Sequence, residues 1–188
     1  MIDFAKVPTS FETERFLVRK YALNDDQILY SAARESINDV YKFLPWCHPN
    51  YEIIETRQWL THVNPDWKQN RANAFAITNK ADGKFLGGIG LSRIDEHPVA
   101  NLGYWVRSSA VGDGVATESV MGLARFGFTH LHLIRIEIIM STENAASKKV
   151  AEKSGAKYEG ILRNRLLLHG RCHDAHCYSL LRSDVGLI

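Results

Sequence analysis

The chain has 188 residues, 45% hydrophobic and 23% charged, enough apolar content for one compact domain over 1–188. A formal net charge of +2 makes no basic surface for nucleic acid, and no apolar run nears the roughly 18 residues of a membrane span. Three cysteines, an odd number, argue against a disulfide framework and for a reducing, cytoplasmic setting, and the first residues show no charged-then-apolar leader.

Phe16 and Val18 alternate with charged neighbours between Glu14 and Leu23, which predicts a strand. The Asn-Asp-Asp that follows predicts a helix start near Asn24, and the helix is expected over 27–45, ending before Pro45. Ile54, Trp59 and Val63 fall near helical spacing and predict a second helix. Residues 73–79 and 84–95 flank Asp82-Gly83 and predict an antiparallel hairpin. A third strand is expected over 100–109. Val120, Ala124, Phe128 and Leu131 predict a helix over 117–131. The β-branched run 133–142 predicts a buried strand. The segment 144–156 predicts a short helix with Asn144 as N-cap and Gly155 as its stop. Residues 158–182 close the chain with two strands around His169-Gly170. The order β-α-α-β-β-β-α-β-α-β-β defines an α+β domain with a mixed sheet.

The run from Val111 to Ala116, VGDGVA, follows a strand and precedes the strongest helix. Free N–H groups at a helix start attract anions, and glycine lets a backbone approach a ligand closely. No Gly-Lys-Ser/Thr follows, which excludes a nucleotide P-loop, and a dinucleotide fingerprint lacks its third glycine. By itself the loop admits two readings, an anion cradle and a plain turn. Glu118 suits a helix N-terminus as a favourable charge. Glu137 stands in an otherwise apolar strand, on the same face as Arg135, which offers an ion pair. The His- and Cys-rich run 169–177 matches no zinc spacing. A strand there turns Cys172 and His176 opposite to His173 and Cys177, so no metal is expected.

The blocks GYWVRSSAVGDGVATESVMGLARFGF, RIEIIMSTENAASKKVAEKSGAKYEGILR and DAHCYSLL, in this order, resemble the GCN5-related N-acetyltransferase superfamily. The opening ETERFLVRKYALND and the FLPW at 43–46 resemble its RimJ/RimL-like branch of ribosomal-protein N-acetyltransferases. The resemblance covers nearly the whole chain. It implies a mixed seven-stranded sheet, splayed in the middle to admit acetyl-CoA and flanked by about four helices. It further implies direct acetyl transfer to an amine, without an acyl-enzyme.

The superfamily's loop, Gln/Arg-x-x-Gly-x-Gly/Ala, falls on 111–116. Gly114 and Ala116 fit, Val111 departs from Gln or Arg, and Asp113 stands where a basic residue is common. The resemblance implies that Gly112, Asp113, Gly114, Val115, Ala116 and Thr117 hold the pyrophosphate through the backbone. It implies that Trp105, Val106 and Arg107 lend free backbone groups to the pantetheine arm, as a sheet edge takes a peptide. Asn144 is implied as a further pantetheine contact beside its capping role. Many members protonate the leaving thiolate with a Tyr at the position of Ala151; in this branch Ser147 is the implied substitute, its alternative being a small polar residue in a first helical turn. Tyr104 and Trp105 also read as core aromatics.

The general base is left open. Glu137, Glu159 and Asp174 are the candidates, while the run ILRNRLLL after Glu159-Gly160 supplies no acid, so a water relay is an alternative. Phe43 and Trp46, with His48 and Tyr51, are candidates for the acceptor pocket or for core packing. The acceptor is expected to be a protein N-terminal amine. The alternatives are a small-molecule amine, or a non-catalytic acyl-CoA-binding protein. Neither nucleic acid nor membrane is expected as partner, and the chain is expected as monomer or homodimer.

Overall fold

The computed structural model describes residues 6–94 and 97–187. The last residue of the strand expected over 84–95, and the first five residues, over which no leader is expected, lie outside the described residues. The strands are β1 (Ser10–Glu12), β2 (Phe16–Lys20), β3 (Ala72–Asn79), β4 (Phe85–Arg93), β5 (Val99–Val106), β6 (Arg135–Ser141), β7 (Lys157–Leu168) and β8 (Arg171–Leu180). The helices are α1 (Asp26–Val40), α2 (Ile53–Lys68), α3 (Val115–His130) and α4 (Ala145–Lys153). The sheet runs β1-β2-β3-β4-β5-β6-β8-β7.

The expected order of elements is present, with one strand added at the edge. β1 is only three residues long and pairs Ser10 to Glu12 with Leu17 to Arg19. Phe11 holds it in place, its ring 5.6 Å from Phe75 and 5.3 Å from Phe126 of α3. Gly122 of α3 is where Phe11 lands: a Cβ there would meet the ring at 2.8 Å. The first helix stops at Val40 rather than at 45, because the chain turns through Tyr41–Leu44 well before Pro45. α2 carries Pro65 inside its last turn.

α3 buries Val120, Leu123, Ala124 and Phe128 against the sheet, the stripe that its 3.6-residue period dictates. The opposite side of the stripe meets Ile89, Leu91, Leu102, Ile136 and Ile138, all nearly inaccessible. Each such side chain contributes about 1.5–3 kcal/mol on burial.

All neighbouring strands are antiparallel except β5 and β6. These two pair in parallel only at Val99 with Arg135, Ala100 with Ile136 and Asn101 with Glu137. Beyond that point β5 continues along β4 to Val106, while β6 continues along β8 to Ser141. The sheet therefore opens into a split between Leu102–Val106 and Ile138–Ser141. Along β5, Leu102 and Tyr104 face α3 and α4, whereas Gly103 and Trp105 face the α1–α2 connection.

Candidate active site at the split strands

Three pieces of chain converge on the split: the loop from β5 to α3, the start of α4, and the α1–α2 connection. The loop carries left-handed backbone at Gly112 (φ 97°) and Gly114 (φ 77°), and Gly114 is the N-cap of α3 without a side-chain cap. Among the described residues, no protein group accepts from the N–H groups of Gly112 through Thr117. A helix terminus left open in this way is a preformed anion cradle.

Arg15 sits beneath the loop. Its Nη1 donates to the Asp113 carbonyl at 2.8 Å and its Nε to Glu118 at 2.7 Å, while Glu118 also accepts the Arg15 backbone N–H at 2.8 Å. Glu118 is thus an ion-pair partner and not only a helix-start charge. Asp113 uses its carbonyl toward Arg15 and leaves its carboxylate at the surface. An open cleft of about 660 Å³ lies beside the loop, lined by Arg15, Lys80, Asp113 and Val115 among others.

Strand geometry separates the residues expected to lend backbone groups. Arg107 N–H donates to Leu86 O at 2.8 Å, and its carbonyl accepts from Ala110. The Trp105 carbonyl also points to β4, where a Cβ on Gly87 would meet it at 2.2 Å. Backbone groups alternate sides along an antiparallel strand, so Tyr104 and Val106 turn theirs into the split. Val106 thus has the free groups expected of it, and Tyr104 joins it. Trp105 and Arg107 direct their backbones elsewhere. The Arg107 side chain instead donates to Phe85 O at 3.0 Å and pairs with Glu35. That guanidinium, with Ser109, holds the Glu35 carboxyl down at about 2. Ser36 and Glu35 of α1 also accept the N–H groups of Ser108 and Ser109, at 3.0 and 2.9 Å.

At the other lip, Asn144 Oδ1 accepts from Ser147 N–H at 3.0 Å, the N-cap bond that the sequence expects. Ser147 Oγ lies 2.7 Å from the Tyr104 hydroxyl, across the split. Ala151 is fully buried. Tyr104, taken from sequence as an aromatic of the core, is therefore also a polar partner. Its residue spacing from Ser147 gives no local signal of that.

On the opposite face, Glu137 stands at the closed end of the split beside Asn101, whose Oδ1 is buried without a partner among the described residues. Arg135 Nε donates to Glu137 at 3.0 Å, so the ion pair expected from their spacing forms. Arg135 also grips Glu159, with Nη1 donating at 2.7 Å. This contact, with the Ser179 hydroxyl at 2.7 Å, holds the Glu159 carboxyl down at about 2. Asp174 Oδ1 accepts the Asn164 N–H at 2.9 Å within the β7–β8 hairpin. Burial pushes the Cys47 thiol up to about 11 and raises that of Cys177.

Above this face, the Trp46 ring lies 5.5 Å from both Trp105 and Tyr51 and is 38% exposed. Phe43 is half-buried, with the Lys42 ammonium 5.0 Å from its ring. His169, at the tip of the β7–β8 hairpin, reaches back to the Tyr41 carbonyl at 3.0 Å and packs on the Tyr41 ring. The hairpin and the α1–α2 connection thus meet over the opening.

A splayed mixed sheet with an uncapped glycine loop at the start of its central helix defines an acetyltransferase of the GNAT type. A family model described as an acetyltransferase (GNAT) domain matches residues 15–157, and the chain belongs to this family. N-acetyltransferase p20 of Bacillus licheniformis, itself uncharacterized, is 31% identical over 173 residues, covering 92% of this chain and 96% of that protein. The ribosomal-protein-serine acetyltransferase of Escherichia coli K12 is 27% identical over 97 residues, 51% of this chain and 54% of that one. Mycobacterium smegmatis RimJ, solved in complex with CoA-disulfide, superposes with a TM-score of 0.88 at 20% identity, covering 99% of this chain and 92% of that chain. The chain is an N-acetyltransferase of the GNAT family, and its relatives include a ribosomal-protein acetyltransferase.

Proposed function

We propose that this protein transfers the acetyl group of acetyl-CoA directly to a primary amine, in particular the N-terminal amine of a protein chain. The observation that carries this reading is the row of open N–H groups from Gly112 through Thr117, continuous with the free strand edge of Tyr104 and Val106. The loop fits a pyrophosphate, and the strand edge fits the amides of a pantetheine arm, as a strand adds to a sheet. Asn144 keeps its Nδ2 to donate to the same arm. Asp113 leaves the cradle intact because the backbone does the binding.

The chemistry divides among named groups. Glu137, at the closed end of the split, takes the proton of the acceptor ammonium through water. An N–H of Tyr104 or Val106 donates to the thioester carbonyl oxygen as charge grows there. Ser147 donates to the sulfur as the C–S bond breaks. A thiol raised by burial, as at Cys47 and Cys177, is a poor nucleophile, which favours direct transfer over an acyl-enzyme. Trp46 and Phe43 line the approach of the acceptor. The relative named a ribosomal-protein-serine acetyltransferase supports a protein as acceptor.

Isothermal titration with acetyl-CoA, followed by thiol release on N-terminal peptides and on polyamines, tests the reading. Micromolar binding with turnover on peptides is the expected result. Absence of binding at millimolar acetyl-CoA overturns the proposal, and turnover confined to polyamines overturns the acceptor.

A further inference from the structure

The Tyr104 hydroxyl spans the split, and the packing of the ring does not require it. A phenylalanine would fill the same space between β5 and α4, yet the oxygen lies 2.7 Å from Ser147 Oγ and 3.3 Å from the Ser147 carbonyl. Each hydroxyl has a single proton, so only one of the two can donate in the short contact. If Ser147 donated to Tyr104, the phenol proton would be left with the long 3.3 Å contact. If Tyr104 donates to Ser147, the phenol proton takes the short contact and the serine proton is free to point into the split. Burial pushes the phenol up to about 12, so it keeps its proton at working pH and has one to donate. Asn144 fixes the other side of Ser147 by accepting its backbone N–H.

We propose that Tyr104 is a positioning residue for acetyl transfer: it donates to Ser147 Oγ and so aims the serine proton at the departing sulfur. This rests on the reading of Ser147 as the group that meets the thiolate. As the N–C bond forms and the C–S bond breaks, the electron pair stays on sulfur, and the Ser147 O–H stabilises it. The proton lost by the amine nitrogen finally neutralises the sulfur, and both hydroxyls end as they began.

The test uses single-turnover acetyl transfer by the wild type, Tyr104→Phe, Ser147→Ala and the double variant, with acetyl-CoA affinity and Tm measured alongside. Tyr104→Phe is expected to slow transfer about tenfold, the worth of one hydrogen bond to the reacting group, with Kd for acetyl-CoA within about twofold. The double variant is expected to be no slower than Ser147→Ala alone, because Tyr104 acts through the serine. A packing role would instead multiply the two losses. Replacing Tyr104 by 3-fluorotyrosine, a stronger donor of the same shape, is expected to restore the rate. Multiplicative losses, or a wild-type rate in Tyr104→Phe, overturn the proposal while leaving the acetyltransferase intact. A wild type that binds acetyl-CoA and transfers to no acceptor overturns the catalytic reading itself, and this inference with it.

Discussion

Gly114→Ala probes the loop directly. Gly114 holds φ at +77°, and an L-residue in left-handed backbone costs about 1–2 kcal/mol. Its new methyl would also stand 3.0 Å from Arg15 Nη2, close enough to displace a guanidinium that braces the Asp113 carbonyl. The strain can appear in two places. If the loop keeps its shape, stability falls by the same amount, about 2–8 °C in Tm for a chain of this size. If the loop relaxes, Tm holds and the affinity for acetyl-CoA falls about 5–30-fold. Gly112→Ala is the control, because it also forces an alanine to positive φ (+97°) but has no neighbour within 4 Å. Titration calorimetry and thermal melting on both variants give the partition. A Gly114→Ala protein with unchanged Tm and Kd would refute the left-handed loop. Equal affinity losses in the two variants would refute the bracing role of Arg15.

Asp113→Lys removes an exposed negative charge beside the cradle and adds a positive one. It should tighten acetyl-CoA binding by about 1 kcal/mol or less, and the gain should vanish near 1 M salt in the same titration. Glu35→Gln removes the partner of Arg107. The folded pKa of Glu35 lies near 2, below its ordinary value, so the pair stabilises fully above about pH 4.5 and its contribution fades as pH falls toward 2. With the Glu35 side chain 31% exposed, the expected loss at pH 7 is only about 0.5–1 kcal/mol, and melting curves of variant and wild type should converge near pH 2. Trp46→Ala should raise the KM of the acceptor several-fold, roughly the effect of losing one aromatic contact, while leaving Kd for acetyl-CoA unchanged in a steady-state assay with both substrates varied.

The order of elements was legible because each depends on its own neighbours in sequence. Val120, Ala124 and Phe128 announce α3 by their spacing, and Asn144 announces α4 by chemistry that acts within three residues. The pair Arg135–Glu137 was legible for the same reason, since a strand puts residues two apart on one face. What stayed hidden depends on distant parts of the chain. β1 offers three residues and a single ring, Phe11, whose partners Phe75 and Phe126 lie far along the sequence. The partner of Glu118 is Arg15, and that of Tyr104 is Ser147; nothing local to either residue marks the other. The loop shows the boundary well. Its glycines mark positive φ, but the guanidinium beneath it comes from the far end of the chain.

The short parallel seam between β5 and β6 has a consequence for how such a protein changes over generations. Among the described residues, backbone joins the two leaves of the sheet only where Val99–Asn101 meets Arg135–Glu137 and where, just before, Ile134 N–H donates to Pro98 O. The groups suited to the donor lie on the rear of the split, on the β5–α3 loop and the start of α4. Those suited to the acceptor lie on the front, on the α1–α2 connection and the hairpin tip at His169. A substitution at Trp46 or His169 therefore touches none of the amides from Gly112 to Thr117. Selection can rework which amine is admitted while the handling of the thioester stays fixed, and the two preferences can drift independently within one domain.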